Sequence, residues 1–114
     1  MTERVMGTAA LADPKLAEIV RRLVEAYEPD RIYLFGSRAR GDGTPHSDYD
    51  LMVVVPEAAP PERRASRLAY ETLWGLRTAG DILVWTRARF ESRLHLRASL
   101  PATVVREGIL LYAA

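Results

Sequence analysis

The residues Leu51 to Val55, LMVVV, form an unbroken apolar run in the middle of the chain. The run is short and β-branched, and Pro56 ends it, which are the marks of a buried strand. Yet Asp48 and Asp50 stand at its mouth. Acidic residues are poor strand formers and cost free energy wherever a strand is buried. Any fold for this chain must therefore bury the run and still give those two carboxylates water or a counter-charge.

The surrounding pattern supplies the rest of the fold. Asp13 and Pro14 make a good N-cap and first-turn pair, and Leu16, Ile19, Val20, Leu23, Val24 and Tyr27 follow at helical spacing up to Pro29. Ile32 to Phe35 reads as a first buried strand and Leu51 to Val55 as a second. After the loop EAAPPE, the spacing of Ala65, Leu68, Ala69, Thr72, Leu73 and Leu76 predicts a helix from about Pro61 to Arg77. Ala79 and Gly80 break it, and Asp81 to Trp85 gives a third strand. Thr86 can cap a helix carrying Phe90 and Leu94, Pro101 opens a short helix closed by Gly108, and Ile109 to Tyr112 can form an edge strand. Strands alternating with helices point to an α/β or α+β sandwich built on a small sheet. A length of 114 residues, with no repeat and no long linker, fits one domain spanning residues 1–114.

Charge and composition narrow the function classes. Sixteen basic residues against 15 acidic leave a net charge of +1, so no global field exists to hold DNA, although a small anion could bind locally. The chain has no cysteine, which removes disulfides and thiolate metal sites and fits a reducing cytoplasm, where the protein is expected to reside. The opening MTERVMGTAALADP lacks the apolar core of a signal peptide, and Leu51 to Val55 is far too short to cross a membrane.

Two segments carry candidate chemistry. Gly36 and Ser37 follow directly on the first strand, and RARG after them could turn once as a helix. Such a junction aims unpaired N–H groups at one point and lets a phosphate approach a glycine closely. Ser37 could add a hydroxyl, and Arg38 or Arg40 a planar fork for phosphate oxygens. From the loop alone, a polar turn with solvated arginines fits as well. Gly36 and Gly41 have Walker A spacing, but Asp42 and Gly43 stand where Lys and Ser or Thr are required, so a P-loop is rejected.

The second segment is the aspartate pair. Residues two apart in a strand share a face, roughly 6 to 7 Å apart, so Asp48 and Asp50 project together with Tyr49 opposite. Like charges so held repel unless a cation sits between them. Mg²⁺ is the natural one, because it binds through one or two carboxylates plus phosphate oxygens. Asp81 opens the third strand much as Asp50 opens the second; taken alone it could be turn chemistry. If the two strands are neighbours, all three carboxylates gather at one end and could hold two metal ions for an in-line phosphoryl or nucleotidyl transfer. An EF-hand is excluded because Met52 and Val53 replace its next ligand and turn glycine. The DxD of sugar-nucleotide glycosyltransferases belongs to much larger domains.

Gly36-Ser37, ten intervening residues, then Asp48-Tyr49-Asp50 and an apolar strand resembles the GS-x(10)-DxD signature of the DNA polymerase β-like nucleotidyltransferase superfamily. GSRARG with SDYDL is similar to the minimal nucleotidyltransferases of bacteria and archaea, as are Asp81 and the EG-x-x-x-Y-like tail from Glu107 to Tyr112. The resemblance covers about residues 14–112 and implies a small mixed sheet flanked by helices, the polymerase β-like nucleotidyltransferase fold. It further implies that Gly36 and Ser37 hold the triphosphate of a nucleotide, Asp48 and Asp50 bind Mg²⁺, and Asp81 completes the metal site and helps activate the attacking hydroxyl. The implied reaction moves AMP from ATP to a hydroxyl and releases pyrophosphate. The implied partner is a small helical HEPN protein, in a toxin and antitoxin pair where the nucleotidyltransferase silences the toxin. With no second domain to hold an acceptor, that acceptor is expected on another chain; whether like or unlike chains assemble stays open. The rival reading is a binding protein that keeps the nucleotide pocket, lacks catalysis and neutralises its partner by contact.

Three further features bear on function. Arg89, Arg93 and Arg97 recur every four residues and on a helix would form one basic stripe, either a solvated face or a docking surface for an acidic partner or RNA. His46 beside Ser47 and Asp48 is polar filler or a group tuning the site. Trp74 and Trp85 are expected in the core or an interface.

Overall fold

The computed structural model describes residues 10–44, 48–77 and 80–114. Helix α1, Pro14–Tyr27, begins where the Asp13 carboxylate accepts the N–H groups of Lys15 and Leu16 at 3.0 and 3.4 Å, and Pro14 occupies the first turn. It ends at Glu28, in the left-handed region at φ 48°, just before Pro29. Its apolar stripe, Leu16, Ile19, Val20, Leu23 and Tyr27, is fully buried.

Four strands make one sheet in the order β3-β2-β1-β4: β1 is Arg31–Phe35, β2 Tyr49–Val55, β3 Gly80–Thr86 and β4 Ile109–Ala113. Strand β1 is antiparallel to both β2 and β4, whereas β2 and β3 run parallel, so the sheet is mixed as expected. A one-turn helix α2, Ser37–Arg40, follows β1; α4, Arg87–Glu91, and α5, Leu100–Glu107, follow β3.

Side-chain alternation along β2 divides the core into two layers. Tyr49, Leu51, Val53 and Val55 pack with α1, Ile32, Leu34, Ile82 and Leu111. Met52 and Val54 pack on the other face with Tyr33, Phe90 of α4 and Val104 of α5. Both faces of the apolar run are thus covered, and the Tyr33 and Phe90 rings stack with centroids 5.8 Å apart.

The long helix expected from Pro61 to Arg77 is not formed. In its place stand a 3-10 turn at Pro61–Arg64, an extended Ala65, helix α3 at Arg67–Thr72, and turns with positive φ at Gly75 and Arg77. The buried Tyr27 hydroxyl donates to the Ala65 carbonyl at 2.5 Å, which removes the acceptor a continuous helix would have offered to Ala69; the Ala69 N–H bonds to Ser66 instead. The apolar periodicity was real, since Ala69 is buried and Leu68, Leu73 and Leu76 pack on the first core layer, but two short pieces satisfy it. The helix expected to carry both Phe90 and Leu94 likewise stops at Glu91, and consecutive turns follow to Ser99.

Because the Tyr27 hydroxyl holds the break between the two short helical pieces, Tyr27→Phe is expected to cost about 1 kcal/mol, the net worth of one hydrogen bond. Urea unfolding should show a lower midpoint with an unchanged slope; an unchanged midpoint would remove this bond as the cause of the break.

Candidate active site

Strand β1 delivers the first part of the site. Phe35, its last residue, pairs with Asp50 across the antiparallel ladder, and the chain then turns at Gly36 with φ 79° and ψ −160°. The Gly36 carbonyl accepts from Ala39 and Arg40, both at 3.1 Å, closing the α2 turn. A side chain at Gly36 would meet two obstacles: the backbone lies where L-residues are strained, and an added Cβ would collide with the Asp50 carboxylate. The turn and the carboxylate are therefore in direct apposition.

Strands β2 and β3 deliver the acids. In their parallel register Asp50 is the partner of Asp81, with Tyr49 opposite Gly80 and Leu51 opposite Ile82. Asp50 lies inside β2 and is half-buried, Asp81 and Asp48 are exposed, and Tyr49 between the pair is buried against α1. Asp50 and Asp81 thus lie on the α4/α5 face of the sheet. Burial pushes the Asp50 carboxyl above its ordinary value; the charges of Asp81 and Asp48 push the same way, and Arg40 opposes them. Asp50 is thus the group on which the other three charges act.

Among the described residues, no group of three or more carboxylate, imidazole or thiol side chains converges tightly enough to hold a metal ion. Three like charges with no cation between them are expected to stand apart. The donor set, oxygen only and strongly anionic, fits a hard divalent ion such as Mg²⁺ rather than a softer metal.

The two arginines of the turn diverge. The Arg40 Nε reaches Asp42 at 3.3 Å, and its charge is felt at Asp50. The Arg38 guanidinium instead lies 4.0 Å over the Tyr49 ring and 4.0 Å from the Asp13 carboxylate, on the α1 face and away from Asp50. The Tyr49 hydroxyl donates to Asp13 at 2.6 Å. Burial works to raise the Asp13 carboxyl, but the Tyr49 hydroxyl, two backbone N–H groups and Arg38 outweigh it and hold the group below its ordinary value. Asp13, Tyr49 and Arg38 therefore tie the start of α1, the mouth of β2 and the turn after β1 together. Sequence reasoning missed this tie because Asp13 was fully explained as a helix cap; nothing marks a contact 36 residues away.

His46 lies outside the described residues. Trp85 packs on the second core layer with the Arg89 guanidinium 3.9 Å over its ring. Trp74 is not in the core, being 86% exposed. It borders an apolar cavity of about 640 Å³ with Ile19, Tyr49, Leu73, Gly80 and Ile82. That cavity opens on the α1 face, opposite the carboxylates.

A mixed sheet with acids at the mouths of adjacent parallel strands, beside a glycine turn, is an arrangement suited to phosphoryl chemistry. The chain belongs to the nucleotidyltransferase domain family, which matches residues 14–111. Two solved structures share the fold. A candidate nucleotidyltransferase from Sulfolobus solfataricus aligns at a TM-score of 0.57 with 22% identity, over 85% of this chain and 76% of that one. A chain of a toxin-antitoxin structure with AMP-PNP aligns at a TM-score of 0.55 with 25% identity, over 85% of this chain and 73% of the other. No curated protein matches the sequence.

Two outcomes follow from the geometry. Gly36→Ala should lose about 1 to 3 kcal/mol of stability from backbone strain and collision with Asp50, and Asp50→Ala should recover part of that loss when combined with it; a strictly additive double mutant would contradict the apposition. The second concerns pH. With its folded pKa above the ordinary 3.8, Asp50 binds its proton more tightly in the native chain than in the unfolded one. Its ionisation therefore subtracts stability as pH rises through that interval, and the deficit is complete above the folded value and absent below 3.8. In metal-free buffer Asp50→Asn should raise Tm more at about pH 7 than near pH 3; a difference independent of pH would contradict the reading.

Proposed function

We propose that the protein transfers a nucleoside monophosphate, AMP from ATP, to a hydroxyl on a partner protein, with Mg²⁺ as the metal. The observation that carries this reading is the register of Asp50 with Asp81 beside the Gly36 turn. In the proposed reaction the partner's hydroxyl oxygen bonds to the α-phosphorus, the bond from that phosphorus to the bridging oxygen breaks, and pyrophosphate leaves. The hydroxyl proton passes to a carboxylate or to water. Asp48, Asp50 and Asp81 would hold Mg²⁺, which supplies charge neutralisation for the phosphate oxygens and the leaving group.

The chain's own residues divide the remaining work. Gly36 and Ser37 would meet the triphosphate through backbone N–H groups and the Ser37 hydroxyl, at a turn set directly against the Asp50 carboxylate. Arg40, whose charge is felt at Asp50, would meet the phosphates. Arg38 would contact them only by leaving its stack on Tyr49, and its role without ligand is to brace the turn. Asp81, exposed at the strand mouth, can accept a hydrogen bond from the attacking hydroxyl and orient it.

The similarity to a chain of a toxin-antitoxin structure with AMP-PNP supports a role in such a pair; the antitoxin role, with a small helical HEPN protein as toxin and acceptor, rests on the resemblance carried by the sequence motifs. Incubation with labelled ATP, Mg²⁺ and the product of the neighbouring gene should label that partner. Asp48→Asn and Asp50→Asn should each lower the rate by about 100-fold or more, given the share of barrier lowering that metal-held charge supplies. Neutralisation of the partner that survives both substitutions, with no label transferred, would establish the contact-only alternative. Millimolar Mg²⁺ with ATP should also raise Tm of the parent chain and not of Asp50→Asn.

A further inference from the structure

Beyond the nucleotide site, we propose that the groove between the turns after α4 and helix α5 is a docking surface for an acidic amphipathic protein segment. The groove has a volume of about 370 Å³ and is lined by Leu94, His95, Arg97, Ala102, Val105 and Arg106. Residues 91–98 are all exposed, and three aliphatic side chains stand out of the surface here: Leu94 at 38%, Leu96 at 48% and Val105 at 49%. Apolar side chains clustered at an exposed groove mark an interaction site rather than a solvated face.

Charge identifies the occupant. Among the described residues, no carboxylate pairs with Arg89, Arg93 or Arg97. The acids nearest in sequence are engaged elsewhere: Glu91 pairs with Arg87 at 3.1 Å and Glu107 with Arg106 at 3.8 Å. A basic rim around aliphatic side chains matches a helix with Glu or Asp on one edge and Leu-type residues on its face. Single-stranded RNA fits less well, because no Phe, Tyr or Trp lines the groove, His95 being its one ring among three aliphatic side chains, and the net charge is only +1.

The groove is also placed to serve the chemistry. Its wall α5 packs on the same sheet face as Asp50 and Asp81, and α5 ends at Gly108, where a Cβ would come within 2.8 Å of the Leu34 carbonyl, two residues ahead of Gly36. A segment seated there lies on the side of the sheet that carries the carboxylates. Only this last consequence, that the docked chain is the acceptor, rests on the function proposed above; the binding itself does not.

The test uses the full chain and a fluorescent helical peptide of about 18 residues, Glu and Leu at i, i+3, i+4 spacing and no hydroxyl side chain, so that binding is read without transfer. Controls are the same peptide with Lys for Glu, and an oligo-uridine RNA. The Glu-Leu peptide should bind with a salt-sensitive Kd, and Arg93→Glu with Arg97→Glu, or Val105→Asp, should raise that Kd about tenfold or more with Tm unchanged. Asp50→Asn should leave the Kd unaltered, which separates failure of docking from failure of catalysis. Equal binding of the Lys peptide, absence of binding, binding that survives both surface variants, or tighter RNA binding lost in those variants would each overturn the proposal.

Discussion

The register of β2 between β1 and β3 is the constraint on which the rest depends. Because side chains alternate faces, a slip of one residue would move Leu51, Val53 and Val55 off the α1 layer and send Asp50 into it. Burial of each of those side chains is worth roughly 1.5 to 3 kcal/mol, so the core enforces the register far more strongly than the carboxylates resist it. The same register sets Asp50 opposite Phe35, hence against the Gly36 turn, and opposite Asp81. Hydrophobic packing thereby holds like charges where they repel.

The two faces of the sheet at this end do opposite things. On the α1 face, Asp13, Tyr49 and Arg38 form a closed set: the acid accepts from the hydroxyl and the guanidinium covers the ring, so each polar group has a partner. On the α4/α5 face, Asp50 feels the negative charge of Asp81 and Asp48, and among the described residues Arg40 opposes them. The satisfied cluster rigidifies the strand mouth so that the unsatisfied one can be held in place. Acids held this close need such a frame, since the repulsion among them would otherwise be relieved by moving the backbone.

Much of this was legible in the sequence, for identifiable reasons. Strands Ile32 to Phe35 and Leu51 to Val55 were marked by short β-branched runs with turn residues at both ends, and α1 by a cap, a proline and strict periodicity. The pairing of Asp50 with Asp81 could only be conditional, because strand order is not encoded locally; the parallel alignment of β2 with β3 is a tertiary outcome. The segment 61–77 misled because periodicity records which residues face the core and not whether the backbone is continuous, and the break depends on a hydroxyl donated from Tyr27, 38 residues earlier. The stripe Arg89, Arg93 and Arg97 failed as a helical stripe for a similar reason, since α4 ends at Glu91. Arg38 and Arg40 were indistinguishable in sequence, and the turn sends them to opposite faces.

The end of α4 at Glu91 has a consequence for the surface. A helix running on through Leu94 would have had its apolar side chains drawn to one face, and Phe90, fully buried, would have drawn Leu94 in after it. The turns that replace it leave Leu94 and Leu96 outward, with Arg93 and Arg97 in the same stretch. Such an arrangement contributes less to the core than burial would, because Leu94 and Leu96 keep 38% and 48% of their surface exposed, and among the described residues no carboxylate pairs with Arg93 or Arg97. Beside α5, on the face that carries Asp50 and Asp81, the docking proposed above would supply those contacts and counter-charges from another chain.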